Sequence, residues 1–154
     1  MNMKKIFLVA FALILFLFKG TAQIENPLEW TYSAKKIGNK QYEVHFTATI
    51  EGKWHIYAQD AGEGPEPTSF VFNKNPLIKL IGKVNEFGKL ETSFDKNFNS
   101  TLKFYNKKVD FVQKISLKSS ASTVLKGTIT FMVCNDNKCL PPKDVPFSIK
   151  IDSK

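Results

Sequence analysis

The sequence contains no arginine, so all of its basic residues are lysines. Arginine supplies most of the planar contacts that proteins make to phosphates and to base edges, and its absence argues against a nucleic-acid-binding protein. The formal net charge is +8, but the lysines are scattered and never form a run longer than two. We therefore interpret them as a solvated surface and expect no nucleic-acid partner.

Long apolar runs are also scarce, and the only one lies at the start of the chain. It covers residues 6–18, follows a pair of lysines and precedes a Gly-Thr-Ala segment. This run is shorter than the about 20 residues that a membrane-spanning helix needs. We therefore predict a cleaved signal peptide over residues 1–22 rather than an uncleaved anchor. The exported chain would be a single domain over residues 23–154, without stable membrane insertion.

The rest of the chain lacks the apolar spacing of helices and alternates with the period of β-strands. In residues 42–50, apolar side chains alternate with polar ones. Similar alternation predicts strands over 109–117, 125–133 and 145–151, and shorter candidates lie at 28–33, 54–57, 69–72, 78–84 and 102–105. Turns rich in glycine, proline and asparagine separate these segments. The pattern predicts an all-β, antiparallel β-sandwich.

Cysteine is nearly absent too: the chain has only Cys134 and Cys139, with Asn-Asp-Asn-Lys between them. Export favours a disulfide between the two, and the turn-forming asparagines allow their Cα atoms to approach within about 4.4–6.8 Å. A ring of about six residues gives only roughly 2 kcal/mol of loop-closure stabilisation, so the disulfide would stabilise the fold only weakly. The spacing alone leaves a redox site and a local structural bridge as alternatives.

A zinc site is a third interpretation of the cysteines, which we do not favour. A closed zinc site needs four ligands, and both histidines, His45 and His55, would have to join the cysteines. His45 falls on the polar side of a predicted strand, where an exposed position is expected. We therefore expect no metal and no cofactor.

Four segments, in this order, resemble motifs of the N-terminal periplasmic domain of the thiol:disulfide interchange protein DsbD. Residues 52–57 resemble its Gly-(x)-aromatic-aromatic-x-Tyr strand, and residues 64–68 resemble its G-P-x-P-T loop. Residues 94–98 resemble its acidic-aromatic cap loop, and residues 134–142 its C-x(4–5)-C-x-P-P redox loop. The last motif is the most specific, and the resemblance covers residues 25–151.

The resemblance implies an immunoglobulin-like fold for the sandwich and a function in periplasmic thiol–disulfide exchange. Such a domain passes reducing equivalents between a membrane-linked reductase system and thioredoxin-like periplasmic proteins, as a component of a thiol–disulfide oxidoreductase. By the same resemblance, Cys139 is the interchange sulfur and Cys134 its resolving partner. Because the sequence ends at Lys154, soon after the last strand, we expect a stand-alone monomer whose electrons come from another polypeptide.

The resemblance also suggests which side chains surround the two sulfurs. Phe98 matches the aromatic residue that shields the pair, and Asp95 matches the cap-loop acid, proposed for proton exchange, if one extra residue is allowed between them. Tyr57 matches a site tyrosine, whereas His55 stands where the family can have another tyrosine, so its role is open. Lys138, next to Cys139, would favour the thiolate or simply be solvated.

The alternative function is an immunoglobulin-like binding or assembly module without catalysis. In that case the disulfide would only shape a loop, and thioredoxin-like reductants would not reach it. The redox behaviour of the pair distinguishes the two.

Overall fold

The computed structural model describes residues 25–96 and 98–153, and the predicted signal peptide over residues 1–22 lies outside them. Within these ranges no helix is long and apolar enough to cross a membrane. The described regular structure consists of nine β-strands: β1 Leu28–Gly38, β2 Gln41–Ile50, β3 His55–Tyr57, β4 Ser69–Phe72, β5 Ile78–Asp95, β6 Ser100–Leu117, β7 Thr123–Phe131, β8 Val133–Cys134 and β9 Lys143–Ile151.

The strands form two antiparallel sheets, as the alternating sequence pattern predicts. The larger sheet has the order β1-β2-β6-β3-β8, with β5 pairing along the length of β6, and the smaller sheet has the order β4-β7-β9. Apolar residues of both sheets face each other and form one buried cluster, which we call the sandwich core. Burying one face of each sheet in this way leaves the opposite face for polar residues.

Phe46 lies at the centre of the sandwich core. It is fully buried on β2, where every second residue from Tyr42 to Ile50 is buried, which confirms the predicted alternation. Its ring lies 4.8 Å from that of Phe147 and 5.1 Å from that of Phe70, measured between centroids. Both partners belong to the smaller sheet, so these aromatic contacts hold the two sheets together.

The hairpin of β5 and β6 is much longer than the sequence predicts. Each strand has 18 residues, whereas we predicted a strand only over 78–84 and two separate strands over 102–105 and 109–117. The pairing shifts register between Ile81 and Asn85 and again between Gly88 and Leu90, and most of β5 is exposed. These irregularities remove the alternation on which the prediction depended. The long hairpin carries the turn between β5 and β6 to one end of the molecule.

A second, smaller apolar cluster lies on the outer face of the larger sheet. Its buried members are Tyr57, Ala61, Leu102 and Cys134, and we call it the outer cluster. On β3 and β8, neighbouring residues point to opposite faces, so Ile56 and Val133 enter the sandwich core while the adjacent Tyr57 and Cys134 enter the outer cluster. The larger sheet is therefore buried on both faces at this end.

The position of Phe46 makes a direct prediction for stability. Replacing it by alanine leaves a cavity where four aromatic rings meet, so we expect Phe46→Ala to lower the free energy of unfolding by about 3–5 kcal/mol. Phe87→Ala is the matched control, because that ring is 60% exposed, and its effect should stay within about 0.5 kcal/mol. Urea denaturation followed by fluorescence measures both. Equal losses in the two variants would contradict this account of the core.

Candidate redox site

Cys134 and Cys139 form a disulfide at the end of the larger sheet, with their Cα atoms 4.0 Å apart. The four residues between them make a tight turn, in which the Asn135 amide donates to the Lys138 carbonyl at 2.9 Å. The Asn135 side-chain oxygen accepts hydrogen bonds from the amides of Asn137 and Lys138, also at 2.9 Å. The turn-forming asparagines thus close the loop as predicted from the sequence.

The two sulfur-bearing residues differ in exposure. Cys134 is 1% exposed and belongs to the outer cluster, whereas Cys139 is partly exposed and packs against that cluster from its edge. A thiol approaching from solvent therefore meets Cys139 before Cys134. The difference follows from the strand pairing, because β8 ties Cys134 to β3 while Cys139 lies beyond the turn.

Phe98, in the turn between β5 and β6, lies over the outer cluster. Its ring meets the ring of Tyr57 edge to face, with centroids 6.3 Å apart. The Phe98 amide donates to the carboxylate of Asp95 at 3.4 Å, which helps to fix the turn. Cys134, Cys139, Tyr57 and Phe98 therefore meet in one place, and Asp95 adjoins them.

The G-P-x-P-T segment, residues 64–68, packs against Phe98 through Gly64. Gly64 has a φ of +119°, and a Cβ atom at this position would lie 2.5 Å from the Phe98 ring. Only glycine allows both the backbone conformation and the close approach. At the other end of the segment, the buried Thr68 hydroxyl donates to the Tyr57 carbonyl at 2.5 Å. The motif therefore joins Phe98 to the strand that carries Tyr57.

Tyr57 brings an unusual hydroxyl group to the outer cluster. Its side chain is fully buried, and among the described residues the hydroxyl oxygen has no hydrogen-bond partner. Burial raises the pKa of Tyr57 far above its ordinary value, and the negative charge of Asp95 raises it further. The phenol therefore stays protonated and offers a donor beside the disulfide.

His55 lies opposite Cys134 in the pairing of β3 with β8. Its imidazole is half-buried between the rings of Phe104, 4.5 Å away, and Tyr57, 5.2 Å away. Burial lowers the pKa of His55, and the charges of Asp95 and Asp136 oppose this effect only in part. The imidazole is therefore mainly neutral at neutral pH.

The side chain of Lys138, a predicted site residue, contacts Glu25 and Trp54. Its ammonium pairs with the carboxylate of Glu25 and lies 5.8 Å from the centroid of the Trp54 ring. Part of its charge is thus already balanced by Glu25. An effect of Lys138 on the Cys139 thiolate stays a prediction.

An open cleft of about 1100 Å³ begins beside the outer cluster, a feature that the sequence did not predict. His55, Asp95 and Phe104 line it on the side of the sulfurs. Phe104 was missed as a site residue, although its alternation with Leu102 on β6 could have placed it on the outer face. Within residues 25–96 and 98–153, no group of three or more His, Cys, Asp or Glu side chains could hold a metal ion.

Two solved structures resemble this chain over most of its length. The N-terminal periplasmic domain of ScsB from Proteus mirabilis gives a TM-score of 0.60 at 15% identity, covering 86% of this chain and 49% of that one. This chain thus spans about half the length of the Proteus mirabilis structure. The reduced DsbD N-terminal domain of Neisseria meningitidis gives a TM-score of 0.52 at 16% identity, covering 80% and 86%. The likeness confirms the predicted immunoglobulin-like β-sandwich.

A third solved structure, the complex between the DsbD N-terminal and PilB N-terminal domains from Neisseria meningitidis, gives a TM-score of 0.48 at 14% identity, covering 82% of this chain and 87% of that one. No curated protein matches the sequence. The family model described as thiol:disulfide interchange protein DsbD, N-terminal, matches residues 22–150, almost the whole chain. The chain therefore belongs to the family of the DsbD N-terminal domain.

Proposed function

We propose that this chain is a periplasmic thiol–disulfide exchange module. It would pass reducing equivalents between a membrane-linked reductase system and thioredoxin-like proteins through Cys134 and Cys139. The observation that carries the proposal is the position of the disulfide outside the sandwich core, with one sulfur residue buried, the other partly exposed, and Phe98 packed against the same outer cluster. The similar domain of Proteus mirabilis is described as periplasmic, which supports the same location here.

The unequal exposure supports unequal roles for the two sulfurs. In the reduced protein, the Cys139 thiolate attacks a disulfide of the partner, and one partner sulfur leaves as a thiolate. The Cys134 thiolate then attacks the Cys139 sulfur, which restores the bond between the two cysteines and releases the second partner sulfur. Two electrons pass to the partner, and the protons of the two cysteine thiols balance the partner's two new thiols.

Phe98 and Tyr57 have separate roles in this proposal. Phe98, which packs against the outer cluster, would shield the disulfide and move aside when a partner docks, as small lids do. Tyr57 keeps its proton and could donate a hydrogen bond to the Cys134 sulfur once the disulfide is broken and that sulfur carries charge. Asp95, whose charge acts on both Tyr57 and His55, would assist proton exchange.

The reduction potential of the disulfide is the central test of the proposed function. We expect a value above about −300 mV, since inert structural bridges fall below that limit. Equilibration in glutathione and dithiothreitol buffers, followed by alkylation and mass spectrometry, measures it. A value below the limit would favour the alternative, a binding module whose disulfide only shapes a loop.

Single-cysteine variants test the roles of the two sulfurs. In Cys134→Ser the remaining thiol is the partly exposed Cys139, which should form a mixed disulfide with oxidised glutathione about tenfold faster than the buried thiol of Cys139→Ser. The mass of each adduct over time gives the two rates, and circular dichroism checks that both variants fold. Equal rates, or a faster Cys139→Ser, would overturn the assignment.

Phe98→Ala tests whether the Phe98 ring shields the disulfide. Without the ring, the disulfide should be reduced by dithiothreitol several times faster, while the free energy of unfolding falls by only about 1–2 kcal/mol because the ring is partly exposed. Phe94→Ala is the control, because this phenylalanine lies near the end of β5 in the same hairpin and is 58% exposed. If both variants are reduced at the wild-type rate, Phe98 does not limit access.

A further inference from the structure

His55 occupies the position on β3 that faces the buried sulfur. In an antiparallel pair, two residues directly opposite each other project to the same face, with Cβ atoms about 4.5–5.5 Å apart. His55 and Cys134 are such a pair, so the imidazole lies beside Cys134 on the covered outer face of the sheet. The same side chain lines the open cleft, so the imidazole connects the covered face of the sheet with solvent.

Cys134 needs a group that exchanges protons, because a thiolate in apolar surroundings is unfavourable. Its neighbours in the outer cluster are Tyr57, Ala61 and Leu102. Burial holds the Tyr57 phenol protonated, so it cannot take a proton from the thiol. The ammonium of Lys138 is engaged by Glu25 and Trp54. Asp95 assists through its charge, which acts on the Tyr57 phenol and the His55 imidazole.

We infer that the imidazole of His55 is the acid–base group for the Cys134 sulfur. When Cys134 attacks the mixed disulfide on Cys139, His55 takes the thiol proton. The bond between the two cysteine sulfurs forms, the bond from Cys139 to the partner sulfur breaks, and its electron pair leaves on that sulfur. The proton then passes from His55 through the cleft to water. In the opposite direction, imidazolium protonates the Cys134 sulfur as the disulfide opens.

This inference rests on the proposed exchange function and assigns the proton transfer within it. The lowered pKa agrees with the inference, because a neutral imidazole can accept a proton at neutral pH. The carboxylates that face His55 are Asp95 at the end of β5 and Asp136 in the turn after β8, and the phenol of Tyr57 adjoins it on β3. The other charged groups along the cleft are Lys53, Lys89, Glu91, Lys96, Lys107 and Lys108.

The test follows the second, intramolecular step of disulfide formation in the whole exported chain with both cysteines present. The reduced protein is mixed with oxidised glutathione, and acid quenching with mass spectrometry records how fast glutathione leaves Cys139 between about pH 5 and 8, the range in which histidine titrates. In the wild type, this rate should fall as pH drops through the pKa of His55, because imidazolium cannot take the proton.

His55→Gln should slow that step about a hundredfold at neutral pH, the usual size of general-base assistance, and should remove the histidine component of the pH profile. His45→Gln is the matched control, since the other histidine pairs with Asp110 on β6 and does not line the cleft. It should keep the wild-type profile. His55→Tyr keeps an aromatic ring beside Phe104 and should lose the same component, which separates a lost proton acceptor from lost packing.

Wild-type rates and profiles in both His55 variants would overturn the inference. The exchange function would still stand if the reduction potential lies above the range of inert structural disulfides and Cys139 captures glutathione. A lower potential, with no capture, would instead reject the proposed function itself.

Discussion

The site depends on one constraint, which is that β3 and β8 are buried on both faces. Because neighbouring strand residues point to opposite sides, Ile56 and Val133 are held in the sandwich core, and this fixes Tyr57 and Cys134 in the outer cluster. The two strands are very short, so their position comes from packing rather than from a long ladder of hydrogen bonds. The buried sulfur is thus as firmly placed as the core itself, while Cys139 beyond the turn is more accessible.

The sequence predicts the sandwich well where strands have one buried and one solvated face. β2, β7 and β9 alternate regularly, and their predicted positions agree with the structure within a few residues. β5 was predicted too short because it lies at an edge, is mostly exposed and carries two register shifts. Its second half therefore has no apolar face that a pattern could reveal, although this half is what brings Phe98 to the sulfurs.

The candidate site could be predicted only in part. The spacing of the cysteines and the asparagine turn indicate a local disulfide, and the family resemblance points to Phe98, Tyr57 and Asp95. The placement of His55 opposite Cys134 could not be predicted, because it depends on the register between two strands that are far apart in the chain. The ion pair of Lys138 with Glu25 could not be predicted for the same reason, since Glu25 precedes β1 and contacts the turn only in the folded protein.

The two register shifts in β5 have a consequence for the behaviour of many copies of the chain. Among the described strands β5 pairs only with β6, and it exposes Leu80, Phe87 and Leu90 along its length. A flat, apolar edge of this kind is a template for pairing with another molecule. The bulges bend the edge, and the exposed lysines along it add charge repulsion. The irregularities that conceal this strand from the sequence pattern therefore oppose aggregation of the protein through its own edge at high concentration.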